Sequence, residues 1–381
     1  MCSLVFASCE AGAGDSTTLL TDPTLTTYAR ASDIAIDSRN NVYIVGYYGT
    51  RNLSIVDETQ QYNNITACYW KNGEKIYLSV PAGTISRAYY IAITPNDDVY
   101  IAGSYGSDKI SKPCYWKNGA RTDLNISKAS LSGIAVAANG DVYIAGHYNN
   151  TYSDLDFSSI FVQDYSNIVW YWKNGTKTDL SGPTGATYIS TSGIAIAPDN
   201  KVYIAGRYYS TDKRNTNCFW EVGGVRTDLS VPAEATDVYT TGIAIGPDSK
   251  VYIAGYYRYV VDANNLASKH CYWLNGARTD LSVPAGATET IRGYNAGIAV
   301  SANDVYVLGG YYIHGDENSE KICYWKNGMI TAISVPNAYV YYTGIAVSTN
   351  SDIYISGINA DYNTGEQLTC FWKNGVRTDL Q

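Results

Sequence analysis

The side chains that could carry acid–base or nucleophilic chemistry are few in this chain and do not cluster. The three histidines are His147, His270 and His314, and none lies in an H-E-x-x-H, G-x-S-x-G, phosphate-loop or EF-hand pattern. Asp154 and Asp156 could together hold a cation, but a solvated loop is the simpler interpretation. A histidine without a positioned partner is more often a packing residue. The sequence therefore predicts no catalytic residue, no metal site and no cofactor.

Ligand-binding chemistry is better represented. The chain has 37 tyrosines against 5 phenylalanines, so a ring with a hydroxyl is preferred where packing alone would accept either. Tyrosine supplies rigid amphipathic area in recognition surfaces, its face can stack on a sugar ring, and arginine can clamp a carboxylate through two hydrogen bonds. The alternative is a tyrosine-rich β scaffold with half-wet rims. The candidate ligand-binding residues are Arg30, Arg87, Tyr89, His147, Arg207, Tyr239, Tyr294 and Tyr341.

The elements that must position these side chains come from a repeat of about fifty residues, a period typical of propellers and arrays. Each copy reads G-I-A-I, a polar turn, V-Y-I-A-G, a variable stretch, C-Y-W-K-N-G and T-D-L-S. The V-Y-I tyrosine recurs as Tyr43, Tyr100, Tyr143, Tyr203, Tyr252, Tyr306 and Tyr354. The tryptophan recurs as Trp70, Trp116, Trp172, Trp220, Trp273, Trp325 and Trp372.

Each repeat is predicted to form four antiparallel strands. In the fourth repeat, residues 193–197 and 202–206 flank a Pro-Asp-Asn turn and read as a hairpin. A second hairpin joins residues 218–220 to 227–229. In five other repeats the second turn is Trp-Lys-Asn-Gly, and Asn-Gly is the strongest short hairpin signal. No segment shows helical periodicity, so the fold class is all-β.

Seven such sheets predict a seven-bladed β-propeller of four-stranded antiparallel blades that spans residues 17–381. Radial packing buries both faces of each sheet and leaves only short edges. An open solenoid is the alternative, but the last repeat ends at residues 378–380 with no polar capping repeat after it. Residues 17–23 resemble another T-D-L-S-V-P strand and would compete with residues 378–380 for the outer edge of the closing blade.

Identity at a repeat position indicates scaffold, whereas variation at an exposed position indicates function. The loops after strands two and four share one face of the disc and are the variable ones. The residue four before each I-A-[IV] strand reads Arg30, Arg87, Ser130, Ser190, Tyr239, Tyr294 and Tyr341. The residue after A-G reads Tyr47, Ser104, His147, Arg207, Tyr256, Gly310 and Ile358. The next position is almost always tyrosine and is predicted to be structural, as are the aspartates of the turns and of T-D-L.

Composition excludes some partners. The net charge of −8 and the scattered basic residues argue against nucleic acid, and no run of eighteen apolar residues predicts a membrane-spanning helix. Six of the eight cysteines occupy one repeat position. Equivalent positions in neighbouring blades are about 10 Å or more apart, too far for a disulfide. The predicted buried, unpaired cysteines are Cys68, Cys114, Cys218, Cys271, Cys323 and Cys370.

Residues 1–16 form a separate segment, a shortened signal-like stretch followed by a tether. Val5-Phe6-Ala7-Ser8-Cys9 is similar to the lipobox of bacterial lipoproteins, with Cys9 as the candidate lipidation site. Phe6 replaces the usual leucine, and no basic residue precedes a short apolar run. The alternative is an unstructured terminus with incidental cysteines. The lipobox interpretation predicts an exported protein of the cell envelope or cell surface, held by a lipid anchor.

The pairing of G-I-A-[IV], a polar turn and V-Y-[IV]-A-G resembles NHL-type and bacterial SBBP-type β-propeller repeats over roughly residues 24–381. The resemblance implies a propeller at the cell surface or secreted, and it implies no activity. We predict a non-enzymatic binding module that recognises a glycan or an extended peptide through its tyrosine-rich loop face. The alternatives are a structural or protein-interaction scaffold and, less favoured, a polysaccharide hydrolase or lyase.

Overall fold

The described part of the molecule is built from strands and turns that assemble into seven sheets in a ring. The computed structural model describes residues 25–52, 62–107, 111–127, 129–148, 168–210, 215–262, 265–290, 297–302, 304–313, 320–333, 338–361 and 367–380. Among these residues there is no helix of the length and apolarity needed to cross a membrane. The predicted seven-bladed propeller is confirmed.

The first four blades follow the first four repeats. Blade one contains β1 (Leu25–Ile36), β2 (Val42–Asn52), β3 (Tyr62–Lys71) and β4 (Glu74–Tyr77). Blade two contains β5 (Ile85–Ile93), β6 (Val99–Gly106), β7 (Ser111–Lys117) and β8 (Ala120–Asp123). Blade three contains β9 (Ala129–Val136), β10 (Val142–Tyr148), β11 (Ile168–Lys173) and β12 (Thr176–Ser181). Blade four contains β13 (Ala186–Ile196), β14 (Val202–Ser210), β15 (Asn215–Glu221) and β16 (Arg226–Asp228).

The last three blades follow the last three repeats. Blade five contains β17 (Ala235–Ile245), β18 (Val251–Asp262), β19 (Asn265–Leu274) and β20 (Ala277–Asp280). Blade six contains β21 (Ala287–Thr290), β22 (Ile298–Ser301), β23 (Asp304–Ile313), β24 (Glu320–Lys326) and β25 (Met329–Ile333). Blade seven contains β26 (Ala338–Val347), β27 (Ile353–Asp361), β28 (Gln367–Lys373) and β29 (Val376–Asp379). In blade six, β21 and β22 both pair with β23, and residues 291–296 between them lie outside the described residues.

Each blade is an antiparallel meander in which strands adjacent in sequence pair side by side. The first strand of every blade lines the central channel, and the later strands lie progressively outward. Blade seven is completed by β29, which contains Thr378 and pairs with β28. The C-terminal strand therefore occupies the outer edge of the closing blade, while residues 17–23 lie outside the described residues.

The core lies between blades, and it closes the ring. Trp116 of blade two packs with Tyr43 and Val45 of blade one, and all three are buried. Between the first and last blades, Trp70 packs in one cluster with Phe371. Because blade one buries its face against blade seven, the molecule is a closed ring rather than an open solenoid.

The six repeat cysteines lie in this core. They are buried and unpaired, as predicted. Burial in apolar surroundings raises the pKa of the thiol, for example to about 12 in Cys68. These cysteines are therefore packing residues.

Turn residues that recur in most blades stabilise the face that carries the short loops. In blade two, the Asn118 side chain accepts a hydrogen bond from the Val99 amide (2.9 Å) and donates one to Asp98 (2.7 Å). Lys117 forms an ion pair with Asp98 at 3.1 Å. The backbone φ angles of 48° at Asn118 and 85° at Gly119 require the Asn-Gly pair. The repeated K-N-G residues and the turn aspartates therefore have a structural role.

The outer edge is fastened by a second repeated set. In blade two, the Tyr105 hydroxyl donates to Asp123 (2.8 Å), and Arg121 Nε donates to the same carboxylate (2.9 Å). The Arg121 guanidinium lies 4.1 Å from the centre of the Tyr105 ring. Blade four repeats the hydrogen bonds with Tyr208, Asp228 and Arg226. The tyrosine after the A-G turn is therefore structural in these blades, as expected. The T-D-L aspartate is also structural, as predicted, and its partners are side chains.

Candidate functional site

The seven innermost strands enclose a central cavity of about 240 Å³. Hydroxyl side chains form much of its wall, but most of them are bonded to protein groups. Ser132 lies 2.6 Å from Thr191 of the next blade, and Ser192 lies 2.8 Å from Thr240 of the blade after that. Thr343 bonds within its own blade. The channel wall is thus mainly a set of polar ties between blades.

Two residues interrupt the repeat on this wall. In the other blades the position before I-A is Gly133, Gly193, Gly242, Gly297 and Gly344. A Cβ atom at Gly193 would come within 2.9 Å of the Ile243 side chain in the next blade, so glycine fits there. Blades one and two carry Asp33 and Tyr90 instead.

Asp33 bridges the first two blades from inside the channel. Its carboxylate accepts hydrogen bonds from the Ile34 amide (2.8 Å) and from the Ile91 amide of blade two (3.1 Å). The side chain keeps some solvent contact in the channel but is surrounded by protein. Burial raises the pKa of Asp33 to about 7, although both amides favour the charged form. Burial, with a smaller contribution from Asp33, raises the pKa of Tyr90. The candidate residues predicted from the sequence do not include Asp33 and Tyr90. The feature that could have indicated them is the departure from G-I-A-I in the first two repeats.

The two variable series identified in the sequence are cross-strand partners at the loop-rich face, the face that carries the loops after strands two and four. The pairs are Arg30 with Tyr47, Arg87 with Ser104, Ser130 with His147, Ser190 with Arg207, Tyr239 with Tyr256, and Tyr341 with Ile358. In blades one to five and in blade seven, a register shift in the innermost strand lies between these pairs and the channel-lining segment. The candidate residues in the described chain therefore share one level of the disc.

Arg30, Tyr47 and Arg87 form one group on blades one and two, the Arg30 cluster. The Arg87 guanidinium lies 5.5 Å from the centre of the Tyr47 ring, within cation–π range. Tyr28 tilts against Tyr47 with ring centres 6.0 Å apart. Burial and the adjacent Tyr28 raise the pKa of Tyr47, so its phenol is neutral and hydrogen-bonding at physiological pH.

His147, Arg207, Tyr239 and Arg258 form a second group across blades three to five, the Arg207 cluster. The Arg207 guanidinium lies 4.9 Å from the Tyr239 ring centre, and that of Arg258 lies 5.5 Å from it. Tyr239 is stacked on Tyr256, with ring centres 4.8 Å apart and planes 18° apart. Burial, followed by the charge of Arg207, lowers the pKa of His147. The histidine is therefore neutral at pH 7, and the two arginines carry the positive charge.

The remaining candidates are placed less tightly. The Tyr89 hydroxyl lies 3.3 Å from Ser104 Oγ, beside Arg87. Tyr341 is half-buried at the same level in blade seven. Tyr294 and Cys9 lie outside the described residues. His270 is 1% exposed and packs on Trp325 at 5.2 Å, as a core histidine would.

Arg87, Arg207 and Arg258 differ from several other described arginines in their partners. Across the described residues, ion pairs with aspartate are formed by Arg39, Arg121, Arg226, Arg278 and Arg377. Arg87, Arg207 and Arg258 form no ion pair with any carboxylate in the described chain. Arg207 Nε instead reaches the Ser190 hydroxyl at 3.3 Å. In a chain of net charge −8, the loop-rich face keeps three arginines without an ion pair in the described chain, although Asp237 is the cross-strand partner of Arg258.

Comparison with known proteins places the fold and no more. No protein-family model matches the chain, and no curated protein matches it. The structure is similar to the β-propeller domain of the trilobed protease from Pyrococcus furiosus (TM-score 0.54, 12% identity, 93% of this chain and 96% of that one). It is also similar to the acylaminoacyl peptidase of Pyrococcus horikoshii (TM-score 0.54, 12% identity), where it covers 93% of this chain but only 52% of that one.

A third similar structure is that of the polysaccharide lyase Uly1 (TM-score 0.52, 10% identity, 92% of this chain and 90% of that one). Identities this low show a shared propeller fold alone. The resemblance to NHL-type or SBBP-type repeats stays a prediction, because no family model supports it.

Proposed function

We propose that this protein is a binding module whose loop-rich face recognises a glycan or an extended peptide. The observation that carries the proposal is that Arg87, Arg207 and Arg258 form no ion pair in the described chain. Arg87 and Arg207 lie over tyrosine rings at positions that vary between repeats. Elsewhere in the described chain, arginine is paired with aspartate and serves the scaffold.

The arrangement suits binding better than catalysis. An acid–base mechanism needs two titratable groups held close to a reacting atom. Of the groups at this face, His147 has its Nδ1 atom 3.5 Å from the Thr191 hydroxyl, at the limit of a hydrogen bond. Its neighbour Arg207 is permanently charged and cannot exchange a proton at neutral pH. Tyrosine faces and guanidinium groups, in contrast, supply stacking and directed hydrogen bonds.

An array of immobilised glycans and extended peptides, probed with the full chain, tests the proposal. Arg87→Ala combined with Arg207→Ala should abolish the signal of any ligand that the unaltered protein binds. Arg39→Ala is the matched control, because it removes an arginine from a turn between β1 and β2 on the opposite face, where Arg39 pairs with Asp97. Thermal melting of each variant verifies folding. Unchanged binding by the folded double variant would show that the proposed face is wrong.

We also propose that the protein is exported and held at the cell envelope by a lipid on Cys9. The support is the lipobox-like sequence at residues 5–9 and the small-residue tether at residues 11–16 that follows it. Expression in a bacterium with labelled palmitate should give a labelled protein, and Cys9→Ser should remove the label. Absence of label from the unaltered protein in a lipoprotein-processing host would contradict the anchor.

A further inference from the structure

Resting on the proposed function, we infer that the ligand is an acidic sugar chain, whose carboxylate or sulfate groups are recognised at two separate subsites. The Arg30 cluster on blades one and two forms one subsite. The Arg207 cluster on blades three to five forms the other. Each combines guanidinium groups with tyrosine side chains, and each therefore offers directed hydrogen bonds to an anion beside amphipathic rings.

The positive charge of the loop-rich face favours an anionic ligand. Arg207 is half-buried among the rings of Tyr188, Tyr209 and Tyr239. Its Nη1 atom is enclosed and has no hydrogen-bond partner in the described chain. A partly desolvated cation without an ion pair is unfavourable, and an anion bound at the accessible side of the guanidinium offsets part of that cost. A neutral ligand would leave the charge uncompensated.

The second step concerns the kind of polymer. Extended peptides are commonly bound by adding a strand to a free sheet edge. Tyr47 and Arg207 lie on second strands that are hydrogen-bonded on both sides, to the first and third strands of their blades. Recognition at these positions must therefore use side chains. The guanidinium groups can bind the acidic substituents of a sugar through paired hydrogen bonds.

The third step separates the subsites. The charge of Arg87 acts on Tyr47, and that of Arg207 acts on His147 and the Tyr239 ring. In the described chain, no hydrogen bond, ion pair or ring contact joins Arg87 to Arg207 or to its tyrosines. Two groups without shared partners contribute independently to binding. The losses on removing Arg87 and Arg207 should therefore multiply as fold-changes in Kd.

The test uses polymer pairs that share a backbone and differ in charge. The carboxylate pair is polygalacturonate and its methyl ester, and the sulfate pair is dextran sulfate and dextran. Poly-glutamate represents an acidic extended peptide. Binding of at least one charged sugar polymer well above its neutral partner is expected, and it should weaken between 50 and 500 mM NaCl because salt screens the charges. Arg87→Ala and Arg207→Ala should each weaken it about 10-fold or more, since hydrogen bonds to charged groups are the strong ones.

The outcomes are distinguishable. Equal binding of a charged polymer and its neutral partner, lost in the double variant, would overturn the acidic-ligand inference and leave the proposed function standing. Binding of poly-glutamate without any sugar polymer would also overturn the inference. Sugar binding that the folded double variant retains in full, or no binding of any probe by the unaltered protein, would count against both. A double variant no weaker than either single one would refute two separate subsites.

Discussion

Asp33 gives a pH dependence that can be calculated. It replaces the glycine of five other repeats, and its carboxylate accepts the Ile34 and Ile91 amides inside the channel. Replacing it with asparagine keeps the shape of the side chain but removes the titration. Replacing it with glycine restores the residue of the other blades. Both variants should lose the same pH-dependent part of the unfolding free energy.

The magnitude follows from the raised pKa of Asp33, which changes from the ordinary 3.8 to about 7 in the folded protein. Between these values the folded protein keeps a proton that the unfolded chain has released. The contribution of Asp33 is therefore complete below about pH 4 and is lost as the pH rises to about 7. Three pKa units correspond to about 4 kcal/mol, and the part between pH 5 and pH 8 is about 2.5 kcal/mol.

Guanidinium unfolding at pH 5, 6, 7 and 8 measures this difference. The stability of the unaltered protein, relative to Asp33→Asn or Asp33→Gly, should fall by about 2.5 kcal/mol across the series and should not change further above pH 8. Asp199→Asn is the control, since it removes an exposed turn carboxyl from blade four. The difference in unfolding free energy between the unaltered protein and the variants could instead stay constant to within about 0.5 kcal/mol, or rise with pH. Either result would refute the account of a buried carboxyl that retains its proton.

Three further predictions concern the scaffold. Tyr105→Phe removes the hydroxyl that binds Asp123 and should lower the unfolding free energy by about 1.5–3 kcal/mol in denaturant titration; no loss would mean that the outer fastening is unimportant. Trp116→Phe should cost about 1 kcal/mol more than Trp172→Phe, because the Trp116 indole donates to the Ser79 carbonyl, whereas that of Trp172 has no described partner; equal losses would contradict this. Iodoacetamide should leave the six repeat thiols unlabelled in the folded protein and label them after unfolding, by peptide mass mapping; labelling of the native protein would contradict their burial. These thiols belong to Cys68, Cys114, Cys218, Cys271, Cys323 and Cys370.

The fold could be predicted because its signals are local and repeated. Asn-Gly turns, alternating β runs and a regular period each specify a hairpin without reference to distant residues. Cys68, Tyr69 and Trp70 are consecutive in one strand and so point to alternate faces, which predicts a sheet with both faces covered. Cys68 and Trp70 are buried and Tyr69 is half-buried. The face that carries the candidate residues could be predicted as well. Antiparallel strands alternate in direction, so the loops after the second and fourth strands of every blade lie on one face.

The partners of the site residues could not be predicted in the same way. Arg226 binds Asp228, two residues further along the repeated R-T-D, so its pairing is local. Arg207 lies among tyrosine rings of two blades, which nothing local indicates. That difference depends on which side chains of the next blade come within a few ångströms. The T-D-L aspartate was predicted to be structural, but its partner could not be identified from the sequence, since Tyr105 in blade two is 18 residues away from Asp123.

Repeat chemistry alone sets the number of blades, their strand order and their buried faces, because these depend on turn geometry and on apolar pattern within about fifty residues. The closure of blade one on blade seven and the bridging by Asp33 depend on contacts between blades. Contacts between blades also place the Arg207 guanidinium over the Tyr239 ring. Such contacts form only when the ring brings together residues far apart in the chain, as it does for Thr349 and Asn40, whose side chains bond across 309 positions. A periodic sequence specifies each blade, whereas the packing of one blade on the next specifies the binding face.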